Sequence, residues 1–265
     1  MSLRTLAHGV ALGLIAISLS GCFNAGVYRT ARTLEPGVGD LNINFSVSKV
    51  NQTAEVSGES EEFDYTAFTI LPEIGYHLGV MENLEIGGRV APQNLFIELD
   101  AKYRFVGGPA EKLHVAIAPH VGYQTAIIAD GPSVGVPLIV TYDVTKNLAI
   151  NVAGFGRVLF LSETFDGGDD VDIALGGTTT TFGGHLGIEL RGETFYFMPA
   201  VEYSRWMSTI EAEAEGEKVT TDYTTNVLQA SVNFGFVFGR EKQQLDRMEN
   251  KIDKMDDKLD RALDK

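Results

Sequence analysis

The sequence predicts a membrane-spanning antiparallel β-barrel of about ten strands, followed by an amphipathic, coiled-coil-like helix at the C-terminus. Three observations predict it. A two-residue hydropathy period runs from about Leu41 to Phe238. The two parities differ in kind, one rich in aromatics and almost free of charge, the other carrying long charged side chains. No apolar run after residue 21 approaches the roughly 20 residues a transmembrane helix needs.

The chain opens with Arg4, an apolar stretch over residues 10–19 and the tetrapeptide Leu19-Ser20-Gly21-Cys22. The apolar stretch is too short to span a bilayer and reads as an export signal. The tetrapeptide resembles the lipobox of bacterial lipoproteins, which implies cleavage before Cys22 and an N-terminal lipid on it as the first mature residue. Cys22 is the only cysteine, so the mature chain has no disulfide or cysteine-based metal site of its own. Phe23 in place of an aspartate is similar to lipoproteins passed on to the outer membrane. Residues 1–21 are thus read as signal, 22–37 as a periplasmic linker, 38–239 as the barrel and 240–265 as a periplasmic tail.

Strand segments centre near Phe45, Pro72, Ile86, Leu99, Ile117, Leu138, Val152, Leu186, Ala200 and Val232. Connections at residues 82–83, 107–112, 143–147 and 192 are short, whereas residues 51–64, 125–132, 162–177 and 207–225 read as longer loops on the other side. The short connection at 92–94 breaks the alternation. On outward parity the aromatics fall into two bands, Tyr76, Tyr103, Tyr142, Phe195, Phe236 and Phe238 on the side of the termini, and Phe68, Tyr123, Phe160 and Tyr203 on the other. A soluble barrel also alternates, but with charges outside it leaves these aromatics unexplained.

In this architecture the chain resembles bacterial outer-membrane β-barrel proteins over nearly all of its mature length. Asn233-Phe234-Gly235-Phe236-Val237-Phe238 is similar to the terminal-strand signal of that class, although here the chain continues beyond it. The resemblance implies an outer-membrane location among outer-membrane lipids. With the lipobox it implies anchoring at the periplasmic leaflet.

Inward parity carries Glu73, Glu98, Asp100, Lys102, Arg104, Arg157, Glu189, Arg191 and Glu202, expected to interlock as a lumen charge network. On parity alone, a cation is expected to be worse tolerated at outward Leu99 than at inward Asp100. His77, His114, His120 and His185 are also inward; the two nearest in sequence, His114 and His120, are separated by ~20 Å at ~3.3 Å per residue and share no ion.

The net charge of −15 is concentrated in the long loops, which are expected to draw divalent cations. Asp166, Asp169, Asp170 and Asp172 offer the oxygen ligands of a calcium site without the spacing of a known loop, so a solvated acidic loop is the favoured reading. There is no Gly-x-Ser-x-Gly, phosphate-cradling loop or basic nucleic-acid patch. Cofactors other than the lipid on Cys22 are not expected.

In the tail, Leu245, Met248, Ile252, Met255 and Leu259 are spaced three and four apart, the seam of a coiled coil. This seam fits either self-association into a homo-oligomer or an amphipathic helix lying on the membrane or barrel mouth. The functional expectation is a non-enzymatic envelope barrel with a structural or interaction role; a narrow channel for ions or small solutes is the alternative, and a membrane-embedded lipid-modifying enzyme the third.

Overall fold

The structure, a computed structural model, describes residues 27–56, 59–68, 71–92, 95–108, 110–125, 130–166, 172–214 and 217–239. Cys22, the tail with its apolar seam, and Asp169 and Asp170 lie outside the described residues.

One antiparallel sheet contains β1 (Gly39–Val56), β2 (Glu59–Phe68), β3 (Glu73–Met81), β4 (Leu84–Ala91), β5 (Phe96–Val106), β6 (Leu113–Ile117), β7 (His120–Thr125), β8 (Asp130–Asp143), β9 (Leu148–Asp166), β10 (Asp172–Arg191), β11 (Phe195–Ala214) and β12 (Glu217–Phe238). It closes on itself where β12 pairs with β1, from Gly39 opposite Phe238 to Glu55 opposite Asp222. Two staves are interrupted. β2 and β3 both pair with β1, and β6 and β7 both lie between β5 and β8. Pro72 and Pro119 stand at these breaks, where a residue without an N–H cannot continue the ladder. The result is a barrel of ten staves, each containing one of the ten sequence-predicted centres.

Both barrel ends, Gly39 and Phe238, meet at one rim, here the terminal rim, together with the turns at 82–83, 107–112, 144–147 and 192–194. The opposite, distal rim is uneven. β4 is 8 residues long whereas β12 has 22, roughly 70 Å of strand at ~3.3 Å per residue. Three segments read from sequence as long loops are largely strand: β1 and β2 pair up to Val56 opposite Glu59, β9 and β10 up to Asp166 opposite Asp172, and β11 and β12 up to Ala214 opposite Glu217. Beyond the lipid-facing belt a strand needs no outward apolar face, so the outward-apolar parity is lost while its ladder continues. The short β4–β5 connection is real. It reverses through Leu95 at φ 46°, a left-handed conformation uncommon for a branched residue.

All ten outward aromatics of the two bands are exposed, together with a belt of aliphatic side chains between them, including Leu99 at 62% and Leu186 at 52%. Around the terminal rim the rings touch, with Tyr76 stacked on Phe238 at 6.0 Å and Phe195 against Phe236 at 5.4 Å between centroids. Such a belt between aromatic girdles is a lipid-facing surface.

Leu99→Arg, near mid-belt, is expected to cost about 2–4 kcal/mol of stability in lipid, whereas Thr220→Arg, exposed high on β12, should stay within about 0.5 kcal/mol. Denaturant titration in liposomes measures both; equal losses would contradict the placement of the belt.

Candidate functional site

Inside the wall the polar parity is buried, and the nine sequence-predicted network residues all face the lumen. What the sequence reading missed is the object they surround. Residues 27–36, read there as part of a periplasmic linker, form an extended strap running inside the barrel to the terminal rim. The reason is local. Glu35-Pro36-Gly37-Val38 makes a type II turn, with proline at the second position, Gly37 at φ 80° and the Val38 N–H donating to the Glu35 carbonyl at 3.0 Å. The turn folds the preceding chain back from the start of β1 into the lumen. Gly79 of β3 makes room for it, since a side chain there would collide with the Glu35 carbonyl.

Wall side chains bond the strap's backbone at Tyr28, Arg29, Thr30, Ala31, Arg32 and Leu34. Lys102 Nζ donates to the carbonyls of Thr30 (2.9 Å) and Arg32 (2.6 Å) and pairs with Glu85 at 2.8 Å. The Ala31 N–H donates to Thr141 Oγ1, whose hydroxyl donates to Asn151 Oδ1; Asn151 Nδ2 in turn donates to the Arg29 carbonyl. Asn233 Nδ2 donates to the Tyr28 carbonyl and Gln229 Nε2 to the Tyr28 hydroxyl. Extended backbone inside a barrel has no ladder of its own, so these donors and acceptors replace one.

Two arginines lock the strap. Arg29 bridges Glu85 (2.9 Å) and Asp100, while Arg32 bridges Asp143 and Glu189. Asp100 also faces His77 Nε2 at 3.1 Å, and the Asn42 amide lies 3.3 Å from His77 Nδ1. Asp143 is shared further with Arg191 (3.1 Å) and His114 (3.3 Å). Arg104 instead caps the terminal-rim turn, donating to Asn83 Oδ1 at 2.7 Å. Towards the distal side, Arg89 forks onto Glu98 (2.9 and 3.2 Å) and lies 3.7 Å from Glu73. Its guanidinium is 5.8 Å from the Tyr28 ring, and that of Arg157 is 4.4 Å from the Phe96 ring. His120 faces Glu98 at 3.6 Å and His185 faces Glu202 at 3.8 Å.

Asp100 is therefore not the harmless lumen position that parity alone suggests. A cation there would confront Arg29.

Among the described residues the lumen wall presents eight carboxylates, Asp40, Glu73, Glu85, Glu98, Asp100, Asp143, Glu189 and Glu202, against five cations, Arg89, Lys102, Arg104, Arg157 and Arg191. The strap brings two more positive charges to the side in deficit. Above Arg29 it turns apolar. Val27 joins Ala118, Ile139, Phe155, Trp206 and Val227 in a buried apolar cluster. Space remains on both sides: about 40 Å³ beside Val27, Tyr28 and His120, and about 150 Å³ between Arg32, Asp40, Glu189 and Tyr196 near the terminal rim. Arg29 lines both. These volumes hold a few waters each.

Among the described residues no three histidine, cysteine or carboxylate side chains converge as a metal site. Asp166 and Asp172 pair by their backbones at the top of the β9–β10 hairpin.

No family model and no curated protein sequence matches the chain. Among solved structures, the outer-membrane protease OmpT from Escherichia coli is similar over 79% of this chain and 100% of its own, at 8% identity and a TM-score of 0.50. The outer-membrane protein AlkL, solved in lipid bilayers, is matched over 82% of this chain and 97% of its own, at 15% identity and a TM-score of 0.40. OprG from Pseudomonas aeruginosa is matched over 79% of this chain and 99% of its own, at 10% identity and 0.38. The fold is thus that of a bacterial outer-membrane β-barrel.

Glu85→Gln removes a charge that serves Arg29, Lys102 and the Leu34 N–H together. Breaking such a buried set is expected to cost about 3–5 kcal/mol and to expose the strap to trypsin after Arg29 and Arg32. Unchanged denaturant midpoint and digestion pattern would show that the network does not hold the strap.

Proposed function

We propose that the chain is a non-enzymatic outer-membrane barrel lipoprotein, closed through its lumen at rest, that presents a tall acidic sheet outside the cell. The observation that carries this reading is the strap: a wall of ten staves leaves a bore, and residues 27–36 occupy it, bonded to the wall along most of their length. In this orientation the terminal rim is periplasmic and the tall hairpins are external, the arrangement the lipobox expectation for Cys22 favours. The hairpins carry Glu62, Asp64, Glu211 and Asp222 among their described residues, a field suited to cations and basic partners. Lumen histidines set against carboxylates inside a filled barrel are suited to structural pairing, which favours a non-enzymatic role. The tail beyond Gly239 is proposed to associate with copies of itself in the periplasm through Leu245, Met248, Ile252, Met255 and Leu259.

Purified parent protein in planar bilayers is expected to be electrically silent at modest voltage; steady single-channel steps would overturn the closed state. Mass spectrometry of the N-terminal peptide is expected to find Cys22 acylated, and a free thiol there would remove the lipoprotein part of the reading.

A further inference from the structure

We propose that the strap is a withdrawable stopper in a cation-selective path, so that the barrel conducts cations when residues 27–36 leave the lumen. The proposal rests on the closed resting state inferred above and adds what lies behind it.

The strap differs from everything else in the barrel. It belongs to no ladder among the described residues; side-chain bonds and ion pairs hold it, and it is joined to the wall covalently at one described end, the turn before β1. Polar attachments of this kind release at lower free energy than a closed sheet. It is also built as a stopper at two levels. Its Val27 completes the apolar cluster with Ile139, Phe155 and Trp206, and its Arg29 and Arg32 occupy the carboxylates below. Arg29 stands between the two lumen cavities and lines both.

Withdrawal would change the lumen in three ways. It would remove Val27 from the apolar layer, merge the two cavities along the track of one extended chain, and leave Glu85, Asp100, Asp143 and Glu189 without the strap's two guanidinium groups. With carboxylates in excess over cations on the wall, the opened path attracts cations and repels anions. Further polar groups already face the lumen with no hydrogen bond to protein among the described residues: both side-chain polar atoms of Asn44, and the ring nitrogens of His185 and Glu202 Oε2, whose own approach of 3.8 Å is too long for one, on side chains at least nine-tenths buried. Those groups suit a hydrated path better than a dry core.

The test replaces residues 27–34 by a Gly/Ser sequence of equal length, with Arg29→Ser/Arg32→Ser as a milder variant. Assembly is checked by the shift in gel mobility between unheated and boiled samples. In planar bilayers under a KCl gradient, the variants are expected to give conductance steps with a reversal potential displaced towards that of potassium, while the parent stays silent. A synthetic peptide of residues 27–36, added on the terminal-rim side, is expected to block the Gly/Ser variant; the same peptide with both arginines replaced by serine should not. Assembled variants that remain silent, or that open without cation preference, would overturn the proposal. Failure of both to assemble would also overturn it, because a segment on which the wall depends cannot be withdrawn. A parent that conducts as its variants do would instead overturn the closed resting state.

Discussion

In hydrocarbon every backbone N–H and C=O must find its partner within the protein, and the rest of this structure follows from that demand. It forces the sheet to close, which β12 does against β1 over nearly the whole length of β1. Closure turns the apolar parity towards lipid and the polar parity inward. A polar interior must then be filled or flooded. Eight strands enclose a space that wall side chains can fill, and sixteen or more leave a channel; ten leave a remainder. Here the remainder is taken up by one extended segment of the same chain.

Filling a polar lumen with more backbone brings back the demand that created the lumen. The strap has carbonyls and N–H groups to satisfy and no neighbouring strand to satisfy them. Lys102, Thr141, Asn151 and Asn233 supply donors and acceptors to it from four strands, β5, β8, β9 and β12, and Gln229, also on β12, donates to the Tyr28 hydroxyl. The charge balance follows the same logic. Desolvating eight carboxylates against five cations would be costly unless more positive charge arrived, and Arg29 and Arg32 bring it to Glu85, Asp100, Asp143 and Glu189. Wall and strap are therefore complementary halves of one electrostatic unit, although only the wall is a sheet.

The wall was legible in the sequence because period two is imposed wherever one face meets lipid. Leu95 to Phe105 and Leu228 to Phe238 declare their parity without any tertiary information, and so did the nine charged lumen residues. The tall hairpins were not legible, because above the lipid belt the parity inverts while the register continues: along β2 Glu62, Asp64 and Thr66 are exposed, whereas Phe63, Tyr65 and Ala67 are partly or fully buried, Tyr65 against the lumen's apolar cluster. The strap was hidden for a different reason. Ten residues without a period look like a linker, and their partners lie between 49 and 205 positions away in sequence. One clue was present. Glu85 and Asp143 fall on inward parity beside the carboxylates already noted, and pairing the lumen charges off against one another would have left acids over, with Arg29 and Arg32 the nearest unassigned cations.

That excess of acid bears on the lipid expected at Cys22. Val27 lies among Ile139 and Phe155 in the lumen, with the barrel wall between it and lipid. Val27 follows Cys22 by five positions, and at no more than ~3.6 Å per residue that length of chain spans at most ~18 Å. An acyl anchor on Cys22 and the strap are thus too close along the chain to be positioned independently. Acyl chains held at the periplasmic leaflet would restrict how far residues 27–36 can travel and in which direction they can leave. Arg29 and Arg32 hold the seated strap through four carboxylates, and an anchor at Cys22 would set the effective concentration at which a displaced strap finds its seat again. So short a tether would keep that concentration high. Reseating would then be intramolecular and fast, and an opened lumen would be brief unless a competing cation held its carboxylates.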